Sequence, residues 1–214
     1  MYAKSYEEQL QIVDSETGEP TGELLPRSEA LAQKRWCRST NVYVLSTSGQ
    51  ILCHQRSLSK ERFPGIWTTH FGGHVTSGES FKINALKELS EEIGLTVSPY
   101  QLIPWRTSRK ESQRLWMRDF ITVYDGELHH LTLQTSEIQQ VRWHRPEEVM
   151  SFLDTDEHDE PPTWLAGTHN FHADYQCMRA VLTAALDAGL FGDPYKHLRF
   201  WEPTKHPVIQ PIQE

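Results

Sequence analysis

The stretch Gly73–Leu95, GHVTSGESFKINALKELSEEIGL, decides how the rest of the chain is read. Glu88, Glu91 and Glu92 stand at spacings i, i+3 and i+4, so their carboxylates share one side of a helix. Leu86, Leu89 and Ile93 fall on the other side, which predicts a buried apolar stripe and an acidic stripe facing outward. Like charges at i,i+4 cost a helix roughly 0.2–0.5 kcal/mol per pair, and a bound divalent cation would remove that cost. Gly72-Gly73 and Gly78-Glu79 form a glycine-rich entry, and Gly94 sits where a left-handed C-cap belongs. The segment reads as strand, tight loop, helix and stop.

The whole chain has 214 residues, which suits one well-filled domain with extensions. Its 21 Lys and Arg against 29 Asp and Glu give a formal charge of −8, which argues against general affinity for nucleic acid or an anionic membrane. Cys37, Cys53 and Cys177 are widely spaced and contain no C-x-x-C pair, so neither a disulfide framework nor a structural zinc site is expected. The first residues lack an apolar targeting core, and no stretch approaches the roughly 18 apolar residues of a membrane span. A soluble cytoplasmic protein is the expectation.

Outward from the acidic helix, the turn cluster Thr17-Gly18-Glu19-Pro20 predicts an N-terminal hairpin, and Ser28 is the expected cap of a short helix reaching Gln33. Val42–Leu45 and Ile51–His54 flank Ser46–Gly49 and read as strand, turn, strand. Arg56, Lys60 and Arg62 surround a Pro-Gly turn just before the glycine-rich loop, where cations could meet a substrate's phosphates. Further strands are expected at Leu102–Trp105, Trp116–Tyr124, Leu131–Leu133 and Ile138–Trp143, and the acidic run 154–162 is expected as a solvated loop. Met178, Val181, Leu182, Ala185 and Leu186 recur with helical spacing before Gly189, and the proline-spaced tail from Pro203 reads as extended. His129-His130 and the His169/His172 pair read as surface or packing residues, and Trp67, Trp143 and Trp164 as core or rim aromatics.

Gly73, Glu79, Glu88, Leu89, Glu91, Glu92, Gly94 and Leu95 match in register the signature G-x5-E-x7-R-E-U-x-E-E-x-G-U, with U a bulky aliphatic. On those residues the segment resembles the Nudix box of the Nudix hydrolase superfamily. Six Gly and Glu positions matching by chance would occur on the order of once in 10⁷ windows at ordinary composition. One position departs: Lys87 stands where the family has Arg, keeping the charge but losing the planar fork that grips a carboxylate. The resemblance covers roughly residues 38 to 150 and implies an α/β fold, a Nudix-type α/β/α sandwich with a mixed sheet, to which a C-terminal helix is added. The expected division is residues 1–37 as hairpin and short helix, 38–150 as the Nudix domain, and 151–214 as acidic loop, helix and tail.

The resemblance also implies hydrolysis of a diphosphate linkage with Mg²⁺ or Mn²⁺ held by Glu88, Glu91 and Glu92, Glu79 serving as structural partner of residue 87. Such ions would polarise phosphoryl oxygens and lower the pKa of a bound water. The candidate catalytic residues are Glu91, Glu92, Glu137 and Lys87; the general base is left open among the first three. Within the superfamily, the run His54–Ser80 is similar to the isopentenyl-diphosphate isomerase-like branch, in which an Arg and a Lys four residues later hold a diphosphate. Arg56 and Lys60 match that spacing and are the candidate substrate-binding residues. The isomerases carry a catalytic Cys immediately before the loop Gly-His, and here that position is Gly72. No His lies between Arg27 and Arg38 to supply their upstream metal ligands, which leaves His74 as the one matching histidine. Isomerase chemistry is therefore disfavoured. A third reading, motivated by Lys87 and the added helix, is a ligand-binding or regulatory module of the same fold. The expected partners are a small-molecule diphosphate substrate and a second copy of the chain as a homodimer. Residues 106–115 and the C-terminal segment are the expected specificity loops, and their side chains do not encode the substrate.

Overall fold

The computed structural model describes residues 7–156, 163–165 and 170–190. Strands β1 (Gln9–Val13) and β2 (Pro20–Pro26) form the expected hairpin, followed by the short helix α1 (Arg27–Ala32). Ser28 is not its cap: its backbone N–H donates to the Glu7 carboxylate at 2.7 Å, and Pro26 occupies the cap position. An acidic side chain reaching in from outside supplies the acceptor at the helix start.

The mixed sheet is built on β3 (Cys37–Leu45) and β4 (Ile51–Arg56). These pair only at Leu45 and Ile51 and then diverge. Into the opening runs the chain from β5 (Trp67–Thr68) onward: it pairs with β4 at His54 and Gln55, then crosses to bridge β3 at Phe71–Val42 and His74–Ser39. This crossing lays Gly72 and Gly73 along β3. On its other edge β3 runs parallel to β7 (Leu115–Val123), which pairs antiparallel with β6 (Ile103–Lys110). Strand β8 (Ile138–His144) lies antiparallel to β4, and β9 (Trp164–Leu165) parallel to β5.

Helix α2 (Phe81–Ile93) covers one face of the sheet, and α3 (Pro146–Asp156) with α4 (Phe171–Asp187) the other. Alternation along β3 explains both cores. Val42 and Val44 pack with Leu52, Phe120 and the Ala85, Leu89 and Ile93 stripe of α2. Tyr43 and Leu45 point the other way, to Trp105, Ile121 and the Phe171, Tyr175, Met178 and Leu182 stripe of α4. Each such buried side chain contributes about 1.5–3 kcal/mol relative to exposure.

Three further expectations are corrected. Leu131–Leu133 forms no strand: it follows a short 3₁₀ turn, and Leu131 and Leu133 turn onto the α2 core instead of entering the sheet. Helix α3 extends through Asp156 where a loop was expected from residue 154; at its start the Glu148 carboxylate reaches back to accept from the Arg145 backbone N–H and guanidinium. Residues 106–115 are not a free loop, since most pair within the β6–β7 hairpin. Arg109 of that hairpin bonds Ser15 O and Glu16 of the β1–β2 turn, and Trp116 Nε1 bonds Ser15 O. The remainder of the acidic run beyond 156, His169 and the tail from Pro203 lie outside the described residues.

Candidate active site

Helix α2 begins and ends as its sequence dictates. Ser80 caps it, accepting the Ile83 N–H at 3.2 Å, and Gly94 ends it at φ 68°. The departure lies in the acidic stripe, because only Glu91 is exposed. Glu92 is 9% accessible, and Glu88 is half-buried; both turn toward the crossing at Gly72-Gly73. The wheel placed the carboxylates on one side correctly, but the chain running along β3 covers that side.

Two glycines make room for the turn. Gly72 has φ +137°, and a Cβ there would stand 2.2 Å from the Thr40 carbonyl oxygen. No side chain fits at position 72, and the bare N–H donates to Glu92 Oε2 at 3.2 Å. Gly73 faces Glu88: a Cβ would meet its Oε1 at 2.7 Å. The Gly73 carbonyl accepts from Thr40 N and Ser39 Oγ, both at 2.9 Å, which pins the loop to β3.

Burial, reinforced by Glu88 and opposed by the Gly72 N–H, raises the Glu92 carboxyl well above the usual range. Burial likewise lifts Glu88 to about 7, against the pull of Lys87 and with the push of Glu91. Among the described residues neither carboxylate has an ion-pair partner within bonding distance. His74, whose Nε2 is buried without a hydrogen-bond partner, lies in the same loop and is held neutral by burial, with a pKa lowered to about 4.

Lys87 turns away from these groups. Its ammonium lies 3.1 Å from both Glu79 oxygens and 3.1 Å from Thr76 Oγ1. Burial works against its charge, but Glu79, with Glu88 and Glu91, outweighs burial and raises its pKa. Thr76 Oγ1 in turn donates to Glu8 at 2.9 Å, tying the N-terminal hairpin to the loop. The pair expected of Glu79 and residue 87 is therefore formed, as contacts to a point charge.

Arg56 ends β4, and Lys60 lies in the loop that follows it. The Arg56 guanidinium bonds the carbonyls of Arg62 and Phe63 at 3.1–3.3 Å and so closes the loop 57–65 on itself. Lys60 reaches across to Glu137, 2.6 Å from Oε2 and 2.9 Å from Oε1. The segment before β8 is anchored there by Ser57 N to Glu137 O at 2.8 Å and by Gln134 N to Glu92 O at 2.9 Å. Arg56 and Glu137 both act electrostatically on Glu92, and Lys60 is tied to Glu137; Glu92 and Glu88 are the side chains that meet Gly72 and Gly73. Glu91 is the outlier on the solvent side, and Lys87 supports the loop from behind.

The donor set suits a hard divalent cation: two inward carboxylates are both shifted upward chiefly by burial, Glu88 adding to the shift of Glu92, and neither has an ion-pair partner within bonding distance among the described residues. The side chains are not drawn around one point, for no group of three or more His, Cys, Asp or Glu among the described residues converges closely enough to hold a metal.

Sequence reasoning missed Asn84. It is completely buried on α2, with Nδ2 3.0 Å from Thr40 Oγ1 and 3.4 Å from Glu88 Oε1. The available signal was a polar residue one helical turn before Glu88 on its own side of the wheel.

The architecture is a mixed sheet between helix layers, with an acidic helix entered through a glycine pair, the arrangement of an α/β sandwich. The chain belongs to the Nudix family: the NUDIX domain model matches residues 35–165. It is 33% identical over 132 residues to an uncharacterized Nudix hydrolase, PA4841, of Pseudomonas aeruginosa, covering 62% of this chain and 76% of that protein. It is 32% identical over 136 residues to an isopentenyl-diphosphate Delta-isomerase of Nocardia farcinica, covering 60% of this chain and 74% of the other. Among solved structures, DR0079 of Deinococcus radiodurans superposes with a TM-score of 0.60 at 24% identity, covering 69% of this chain and 90% of that one, a likeness of fold. The protein is thus a Nudix-type hydrolase acting on phosphorus-containing anhydrides. No helix among the described residues is long and apolar enough to cross a membrane.

Proposed function

We propose that the protein hydrolyses the diphosphate linkage of a small phosphorylated substrate, such as a nucleoside diphosphate derivative, with Mg²⁺ or Mn²⁺ as cofactor. The observation that carries this reading is the pair of inward carboxylates, Glu88 and Glu92, at the glycine crossing and without a protein counter-ion among the described residues. Glu88 and Glu92 would hold the cation, with Glu91 joining from the exposed edge of α2. When bound, the cation supplies Lewis-acid polarisation of the phosphoryl oxygens. Arg56 and Lys60 would neutralise phosphate charge from the opposite side, a role that requires no proton transfer. Glu137 is assigned as the general base: it lies beside the site, and its carboxylate accepts from Lys60, which a phosphate would draw away. Lys87 holds Glu79 and the loop, not the substrate.

A screen of nucleoside diphosphate derivatives, dinucleoside polyphosphates, CoA, sugar nucleotides and prenyl diphosphates with each metal tests this reading. Turnover that disappears in Glu92→Gln and falls in Glu91→Gln is expected; full activity in both variants sinks the assignment. The isomerase alternative is opposed by Gly72, whose backbone and the adjacent Thr40 carbonyl leave no space for a cysteine side chain. Cys37 and Cys53 are buried, and Cys53 is pushed far above the ordinary thiol range by burial. The binding-module reading loses one of its two motives, because Lys87 makes the contact to Glu79 that Arg was expected to make. The three free thiols suit a reducing cytoplasm.

A further inference from the structure

We infer that Asn84 is a positioning residue that sets the orientation of the Glu88 carboxylate for divalent-cation binding, through an anchor on Thr40 of β3. The inference rests on the reading above that Glu88 helps to hold the cation. Asn84 precedes Glu88 by one turn of α2 and is fully buried. Its two amide hydrogens have two acceptors: Thr40 Oγ1 at 3.0 Å and Glu88 Oε1 at 3.4 Å. Once Glu88 is ionised, as a cation requires, the amide presents Nδ2 to it, since a flipped side chain would set Oδ1 against an anionic oxygen. Thr40 is itself fully buried and backbone-bonded to Gly73 O at 2.9 Å, so the anchor belongs to the strand that also pins the glycine loop. Glu88 Oε1 is thereby held from two sides, by the Asn84 donor and by the slot that the missing Cβ of Gly73 leaves. The other oxygen, Oε2, is the one left available for a cation.

The hydrogen bond to Thr40 favours an amide at this position, but two costs oppose it. Asparagine is a poorer helix former than alanine. Its Oδ1 is buried without a hydrogen-bond partner, an arrangement that costs free energy. An amide that weakens the helix and leaves an acceptor unpaired, yet donates to a glutamate of the acidic stripe, fits a part retained for function. The gain is a carboxylate whose rotamer is already restricted before the ion arrives.

Mn²⁺ binding to the full chain, followed without substrate by the electron paramagnetic resonance signal of free Mn²⁺, tests the assignment. Asn84→Ala is expected to weaken Mn²⁺ binding about tenfold, the scale of one hydrogen bond to a charged group, in a protein that remains folded at the assay temperature. Thr40→Val, which keeps the donor but removes its anchor, is expected to weaken binding by about threefold. In a Glu88→Gln background, Asn84→Ala should add no further loss. Binding within about twofold of wild type in Asn84→Ala, or the same loss with and without Glu88, overturns the inference. Unchanged binding in Thr40→Val removes the anchor from it. The failures are separable: if Glu88→Gln leaves Mn²⁺ affinity intact, the metal assignment of Glu88 itself falls, whereas a loss there with none in Asn84→Ala removes Asn84 alone.

Discussion

The Lys60 ammonium lies 2.6 Å from Oε2 of Glu137, so a candidate phosphate-binding cation and a candidate base neutralise one another when no substrate is bound. Both side chains are about 30% accessible, at 28% and 31%, so the pair is screened by solvent and contributes little to stability. A diphosphate carries more charge than one carboxylate and would compete for Lys60. Lys60→Met is therefore expected to raise KM by about tenfold with a smaller effect on kcat. Glu137→Gln is expected to lower kcat by about a hundredfold or more, the range for loss of a general base. Steady-state kinetics on the substrate found by the screen reads both, and a kcat unaffected by Glu137→Gln would remove it as base.

Glu88 gives the metal-free protein a pH dependence beside that of Glu92, and its Gln variant should lack the Glu88 share. Its carboxyl titrates at about 7 in the folded chain, against 4.5 as the reference, chiefly because of burial. Between those values the folded state binds the extra proton, so stability falls as pH rises, and the loss is complete above pH 7. A shift of that size corresponds to on the order of 3 kcal/mol. Urea titrations in chelator should show Glu88→Gln more stable than wild type at pH 8 and the advantage gone near pH 4. Saturating Mn²⁺ should raise wild-type stability at pH 8 and raise that of the variant less.

The two glycines of the crossing should fail differently. Gly72→Ala sets a Cβ 2.2 Å from a backbone oxygen at a φ that side chains rarely adopt, so the loop must leave β3. A loss of several kcal/mol, or an insoluble product, is expected. Gly73→Ala meets only the far end of the Glu88 side chain, which can swing aside. That variant should keep its Tm within a few degrees and lose Mn²⁺ affinity, as circular dichroism melts and metal titration would report.

Lys87 is predicted to act on the loop and not on the reacting atoms. Lys87→Arg should stay within about twofold of wild-type kcat/KM, because Glu79 and Thr76 are in reach of either cation. Lys87→Ala leaves Glu79 without its partner and should cost about 1 kcal/mol, with a moderate loss of activity. A hundredfold fall in kcat with unchanged stability would instead assign Lys87 a direct part in the chemistry.

On the opposite face, Arg106 joins β6 to both β7 and α4, bonding Asp119 at 2.7 Å and Asp174 at 2.7 Å. Asp119 is almost fully buried, so Asp119→Ala would leave the guanidinium short of a counter-charge in the interior. A loss of about 3–5 kcal/mol is expected by chemical denaturation, the usual result of breaking one side of a buried pair.

Local rules determined much of this protein. The Ser80 cap, the Gly94 stop, the apolar row of α2 and α4 and the alternation along β3 follow from single-residue geometry and short-range spacing, which the sequence contains in full. The carboxylates could be placed on one side of α2 for the same reason. Their surroundings could not. Whether that side meets water depends on the divergence of β3 from β4 and on the chain that enters the opening, a matter of pairing between residues some 30 positions apart. The same holds for Lys60 and Glu137, separated by 77 residues, and for Asn84 with Thr40, separated by 44. Leu131–Leu133 shows the converse: its strand propensity was overridden by the α2 core, which offered those side chains burial outside the sheet. The sequence by itself determined the acidic helix and the glycine loop, because they are written in local spacing. Only the tertiary structure decided that Glu88 and Glu92 turn inward while Glu91 stays out, because that depends on which distant backbone covers the helix.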